Sequence, residues 1–145
     1  MYTSSLENLP IGVFDSGVGG LTILKELLKK LPYEKFYYLG DTARVPYGTR
    51  SKETVIKYAR SCIKFLLSKN VKILVIACHT ASSYAISTLR REVNLPIIGV
   101  VEPGAKSAVR KTKKNKVGVI GTEGTIGSGS YQNCIKSLNP SIEIY

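Results

Sequence analysis

A thiol, an imidazole and a hydroxyl stand side by side at Cys78, His79 and Thr80, where the apolar run of "VKILVIACHTAS" (71–82) ends. A thiol between the end of a buried strand and the start of a helix faces the positive end of the helix dipole. That placement favours the thiolate, the form that acts as nucleophile or base. Neighbouring side chains diverge, so His79 is not expected to serve as the base for Cys78. Its expected role is to donate a hydrogen bond to a ligand. A lone Cys-His pair also makes no metal site. The other thiols lack such company: Cys62 lies on the apolar stripe of a helical segment, and Cys134 has no polar neighbours. Both read as packing residues.

Two further stretches carry groups suited to anions. In "DSGVGG" (15–20) Asp15 and Ser16 open a strand-to-helix turn. Its glycines allow close backbone approach, and the helix start offers free N–H groups. The pattern is not G-x-G-x-x-G, so a dinucleotide is not expected. "GTEGT" (121–125) repeats the device with the hydroxyls of Thr122 and Thr125. Two such sites suit a small ligand with two carboxylates. "VPYG" (45–48) is a turn that by itself names no chemistry.

These groups must be positioned by an alternation of strands and helices. Strands are predicted at 11–14, 35–40, 72–77, 96–100, 116–121 and 142–145. Helices are predicted at 20–31, 51–69, 80–91, 104–112 and 125–138. The first helix repeats leucine at 24, 27, 28 and 31, one face of a 3.6-residue period. The second starts at Ser51, an N-cap, with Glu53 in its first turn. Such alternation predicts an α/β fold, a doubly wound parallel sheet with right-handed crossovers. Polar residues follow the first five strands, so their groups are expected along one sheet edge, where ligands bind in such folds. The expected organisation is a polar N-terminal extension at 1–10, a first α/β domain with the active-site loops at 11–100, and the truncated start of a second domain at 101–145. A composition shift near Val100–Gly104 marks the hinge.

Totals narrow the function classes. At 145 residues and 43% hydrophobic, the chain holds a packed core. No apolar run approaches the roughly 20 residues that span a bilayer, and residues 1–10 lack the features of a signal peptide. Three cysteines at wide spacing, with no C-x-x-C, point to a reducing cytoplasm rather than a disulfide framework or zinc site. The net charge is +11, and six basic residues fall between Lys106 and Lys116. That run reads as a solvated helix end and turn. Without interleaved aromatics, no nucleic-acid partner is expected.

The motifs "IGVFDSGVGGLT", "LGDTARVPYGTRS", "ACHTAS", "GVVEPGAK" and "GVIGTEGTIGSGSY" resemble, in order and spacing, those of glutamate racemases. These are cofactor-independent amino-acid racemases that supply D-glutamate to bacterial cell-wall peptidoglycan. The resemblance runs from Ile11 to Tyr131. It implies two α/β domains enclosing a glutamate, no cofactor, and a homodimer in the full-length form. It implies Cys78 as one acid/base thiol, with Asp15 and Ser16 on the substrate amino group and tuning that thiol. It further implies that Pro46, Tyr47 and Gly48 line the pocket, and that Thr80, Thr122 and Thr125 hold carboxylates.

Two departures stand out. Family members read Cys-Asn-Thr where this chain reads Cys78-His79-Thr80. They are also about twice as long, with a second cysteine in a Gly-Cys-Thr-His motif that neither Cys62 nor Cys134 matches. The chain by itself is therefore expected to be inactive in racemisation. Two other readings stay open: a racemase for another acidic amino acid such as aspartate, and a non-catalytic, racemase-derived domain that binds an acidic ligand.

Overall fold

The strand β1 (Ile11–Asp15) is buried along its whole length, and a strand covered on both faces needs a layer on each side. It lies between β2 (Phe36–Gly40) and β3 (Ile73–Ile76), and β4 (Ile97–Gly99) follows β3. The main sheet thus runs β2-β1-β3-β4, all parallel. The computed structural model describes residues 8–145. Most of the extension expected at 1–10 lies outside the described residues.

Alternation along the strands supplies two apolar faces. Ile11, Val13, Val75 and Ala77 meet α1 (Leu21–Lys30) through Ile23, Leu24 and Leu27. Phe14, Leu74 and Ile76 face the opposite layer, α2 (Lys52–Leu67) and α3 (His79–Glu92). Helices on both faces make this the doubly wound α/β arrangement the alternation predicts. The two layers are unequal. α2 buries Val55, Ala59, Cys62, Ile63 and Leu66, whereas α1 buries no residue fully. Ser51 caps α2 as expected, its Oγ accepting from the Thr54 N–H at 3.3 Å.

Beyond β4 the structure departs from the expected elements. α4 (Val101–Lys111) begins three residues earlier than predicted. Pro103 falls in its first turn, where backbone N–H groups have no helical partner to lose. β5 (Lys116–Val117) is shorter than the predicted 116–121 and pairs with β6 (Glu143–Ile144) in a separate two-stranded parallel sheet. Val117 and Val119 pack inward, but nothing holds the end of the run as a strand: Ile120 is 97% exposed. Four strand ends, not five, therefore share the main sheet's edge. The predicted helix 125–138 is two helices, α5 (Glu123–Gly127) and α6 (Ser130–Leu138). They part at Gly129, whose φ of +65° is left-handed and open to glycine without strain.

Ala105, Ile135 and Ile142 form a small separate core beneath α4 and α6. Lys106, Arg110, Lys111, Lys113, Lys114 and Lys116 are all exposed, a solvated helix end and turn. No helix among the described residues is long and apolar enough to cross a membrane.

Candidate active site

The carboxyl ends of β1 and β3 open into a cleft of about 760 Å³. The turn after β1, the Val45–Gly48 stretch, the turn after β3 and the segment 117–125 form its walls, with Tyr131 added from α6. Asp15, Ser16, Pro46, Tyr47, Gly48, Cys78, His79, Thr80, Thr122 and Thr125 all line it. The sequence separates these residues by up to 110 positions; the parallel sheet and the packing of 117–125 against it bring them together.

Asp15 is 5% exposed, and its polar contacts fall on one oxygen. Oδ2 accepts from the Gly17 N–H at 3.1 Å, the Gly20 N–H at 3.0 Å and the Tyr38 hydroxyl at 3.3 Å. The Gly17 and Gly20 N–H groups are therefore occupied by the chain's own carboxylate. Those two donors are thus not open to a ligand anion. Gly20 makes this fit possible: a Cβ there would stand 2.7 Å from Asp15 Cβ and 2.9 Å from Ala77 Cβ. Burial, and then the neighbouring Asp15, push the Tyr38 phenol well above its ordinary range, so it remains a proton donor.

The Val45–Gly48 stretch is anchored from below. Tyr47 is 1% exposed, its ring packed between Phe14 and Tyr58 at centroid distances of 6.2 and 5.6 Å. Its hydroxyl donates to Asp41, which also pairs with Arg44 Nε at 2.7 Å. Tyr47 thus gives the cleft its ring and backbone, while its polar end serves the core. The Gly48 carbonyl accepts from the Gly124 N–H at 2.8 Å. A Cβ on Gly48 would come within 2.6 Å of Thr122 Cγ2. This contact brings the Thr122 turn against the main sheet.

Cys78 is the N-cap of α3, in extended conformation, and its Sγ accepts from the Ala81 N–H at 3.4 Å. The sulfur takes the place of the usual cap oxygen at a helix start. The other thiols differ. Burial, and next Asp41, push Cys62 up to about 11, with Arg44 Nη2 at 3.5 Å from its sulfur. Burial also raises Cys134, which lies outside the cleft beside the core of α4 and α6.

Thr80, Thr122 and Thr125 form a triangle of hydroxyls. Oγ1 of Thr80 is 2.9 Å from that of Thr122 and 3.1 Å from that of Thr125, and the last two are 3.0 Å apart. Three hydroxyls carry three protons and six lone pairs. In the closed ring each proton goes to a neighbour. A carboxylate arriving at the triangle can draw those protons outward without leaving any donor unpaired.

His79 is exposed at the cleft rim, and its Nδ1 lies 2.8 Å from the Tyr131 hydroxyl. The walls around its ring desolvate it enough to lower its pKa, with the Asp15 charge opposing. Sequence reasoning missed both Tyr131 and Tyr38. Tyr38 was accessible in principle, since it pairs in register with Val13, two residues before Asp15. Tyr131 sits 52 residues from His79, and no local pattern links them. Among the described residues, no group of three or more His, Cys, Asp or Glu side chains could hold a metal ion.

A family model described as Asp/Glu/Hydantoin racemase matches residues 16–144. A glutamate racemase from Sulfurihydrogenibium is 56% identical over 138 residues, covering 94% of this chain and 53% of that protein. The structure of a glutamate racemase isoform from Bacillus anthracis is similar with a TM-score of 0.92 at 43% identity, covering 94% of this chain and 52% of the other. That of a Francisella tularensis glutamate racemase in complex with D-glutamate gives 0.89 at 45% identity, covering 97% and 52%. The chain spans about half the length of the curated relatives it matches.

Proposed function

The chain belongs to the Asp/Glu/Hydantoin racemase family, and from that membership we propose that its cleft binds glutamate and that Cys78 exchanges the α-proton in the interconversion of L- and D-glutamate. The observation that carries this reading is the cleft's composition: a helix-capping thiol between a buried carboxylate and three clustered hydroxyls. The Asp15 side is an acceptor and suits the substrate ammonium. The Thr80–Thr122–Thr125 side supplies donors and suits a carboxylate.

In the reacting step the Cα–H bond breaks and an S–H bond forms at Cys78. The electron pair left on Cα spreads into the adjoining carboxylate, where the hydroxyl donors stabilise the growing charge. Ser16 lies beside Asp15 at the ammonium side, and Pro46, Tyr47 and Gly48 close one wall. Inversion requires a proton delivered to the opposite face of Cα. Among the described residues Cys78 is the one thiol lining the cleft. Residues 8–145 alone therefore exchange the α-proton of one enantiomer without inverting the centre. Three free thiols suit a reducing, cytoplasmic setting, and D-glutamate for peptidoglycan is the product in this reading.

The test is to incubate the chain with L- or D-glutamate in D₂O, following the α-proton by NMR and the enantiomers by chiral chromatography. The expected result is wash-out from one enantiomer, lost in Cys78→Ser, with no build-up of the other. Wash-out that survives Cys78→Ser, or none from either enantiomer, overturns the assignment.

A further inference from the structure

We infer that Tyr131 locks His79 into the tautomer with its proton on Nδ1, which makes Nε2 a hydrogen-bond acceptor for the ammonium group of a ligand in the cleft. The inference deepens the glutamate reading and rests on it for the identity of the ligand. It also reverses the donor role that the sequence suggests for His79.

Proton counting carries the assignment. The Tyr131 hydroxyl has two partners, His79 Nδ1 at 2.8 Å and the Val100 carbonyl at 3.4 Å. A carbonyl only accepts, and a phenol has one proton to give. Burial raises the Tyr131 pKa, so that proton stays on the phenol. For both contacts to be hydrogen bonds, the proton points at Val100 and Nδ1–H donates to the phenol oxygen. The geometry around the phenol is constrained. Gly104 packs against it, and a Cβ at that position would lie 3.0 Å from the hydroxyl oxygen. The Val100 carbonyl has a second lone pair, which takes the Gly104 N–H at 3.1 Å.

With Nδ1 turned to Tyr131, Nε2 is the ring nitrogen left for a ligand, and His79 lines the cleft. Desolvation by the cleft walls lowers the His79 pKa, with Asp15 opposing, which favours the neutral ring and its free lone pair at Nε2. The cleft is then divided by hydrogen-bond sense. Asp15 and Nε2 are its acceptors, and the threonine hydroxyls are its donors. Tyr131 acts through His79 and is a positioning residue: the hydrogen bond at one ring nitrogen sets what the other can do.

His79 is the only histidine in the chain, so its tautomer can be read without assignment ambiguity from long-range ¹H–¹⁵N correlation spectra of the full chain. The expected wild-type spectrum has a protonated Nδ1 and an unprotonated Nε2. In Tyr131→Phe the proton moves to Nε2. A wild-type ring protonated on Nε2, or a tautomer indifferent to Tyr131→Phe, overturns the inference. If Tyr131→Phe does not fold, the wild-type spectrum alone decides the tautomer. Ligand preference is tested by titrating glutamate against glutarate, the same dicarboxylate without the amino group. The wild type should prefer glutamate, and Tyr131→Phe should shrink that preference several-fold with glutarate affinity unchanged. A preference that survives Tyr131→Phe overturns the inference and leaves the glutamate reading standing. Failure of glutamate to bind the wild type overturns the glutamate reading, and the ammonium role of Nε2 with it.

Discussion

The turns after β1 and β5 read alike in sequence, glycine-rich and polar at the start of a helix, yet they solve opposite problems. In the first, Asp15 folds back on its own turn and fills it with negative charge, its Oδ2 taking the Gly17 and Gly20 N–H groups. In the second, Thr122 caps a helix of only five residues, and its hydroxyl joins those of Thr80 and Thr125. One turn is self-satisfied and presents an acceptor. The other has donors it can redirect. The spacing of glycines does not tell an anion-binding turn from an anion-bearing one; the side chain at the strand's last position does.

The strongest way to break this comparison is to remove the built-in anion. Asp15→Ala leaves the Gly17 and Gly20 N–H groups without their buried partner and should lower stability by roughly 2–4 kcal/mol. Thr122→Ala removes a cap and should cost about 1 kcal/mol. Urea denaturation of the two variants measures both, and equal losses would mean that the turns are not different in kind.

Packing gives a smaller contrast. A Cβ at Gly20 would stand 2.7 Å from Asp15 Cβ, whereas one at Gly121 meets Thr125 Cβ at 3.3 Å. Gly20→Ala should destabilise by about 1–3 kcal/mol and Gly121→Ala by less than about 1 kcal/mol, read from thermal unfolding. A tolerant Gly20 would show that Asp15 can move away from its turn.

The donor side is sharpened by Thr125→Val, which keeps the volume of a 3% exposed side chain and deletes one hydroxyl of the triangle. Glutamate affinity by calorimetry should fall about tenfold, equivalent to about 1.4 kcal/mol. Unchanged affinity would remove the triangle from the carboxylate site.

The smallest effect is on pH. Desolvation by the cleft walls around its ring holds His79 below its ordinary pKa of about 6.5. As pH falls through that value, the unfolded chain takes up a proton that the folded chain resists. The contribution to stability is thus complete above about 6.5 and lost below it. Subtracting the pH profile of His79→Asn from that of the wild type isolates this slope. A difference that grows in favour of the wild type on acidification would mean that Asp15 outweighs burial at the ring.

Much of the site was legible because it depends on local chemistry. The apolar run places Cys78 between a strand end and a helix start, and there the structure adds that its sulfur caps α3. Cys62 on its helical stripe is core, at 3% exposure. Tyr47 shows where local reading stops. "VPYG" shows a turn, but not that the phenol turns inward to Asp41 and pins the loop to the core. The strand at 116–121 fails for a related reason. Its apolar residues satisfy the pattern, but backbone pairing ends where the Val119 N–H donates to the Tyr145 carbonyl, and with Ile120 exposed, burial does not hold the end of the run extended.

By itself the sequence determined the parallel α/β order, the place of Cys78 between a strand end and a helix start, and the polar residues that follow the strands. These follow from period, propensity and the fixed direction of a parallel sheet, all of which act over a few residues. Only the tertiary structure decided that Asp15 takes the Gly17 and Gly20 N–H groups of its own turn, that Thr80 meets Thr122 and Thr125 across more than 40 positions, and that the Tyr131 hydroxyl meets His79 Nδ1. Those outcomes depend on which donor meets which acceptor after packing has excluded water, and hydrogen-bond pairing across distant segments leaves no period in the chain.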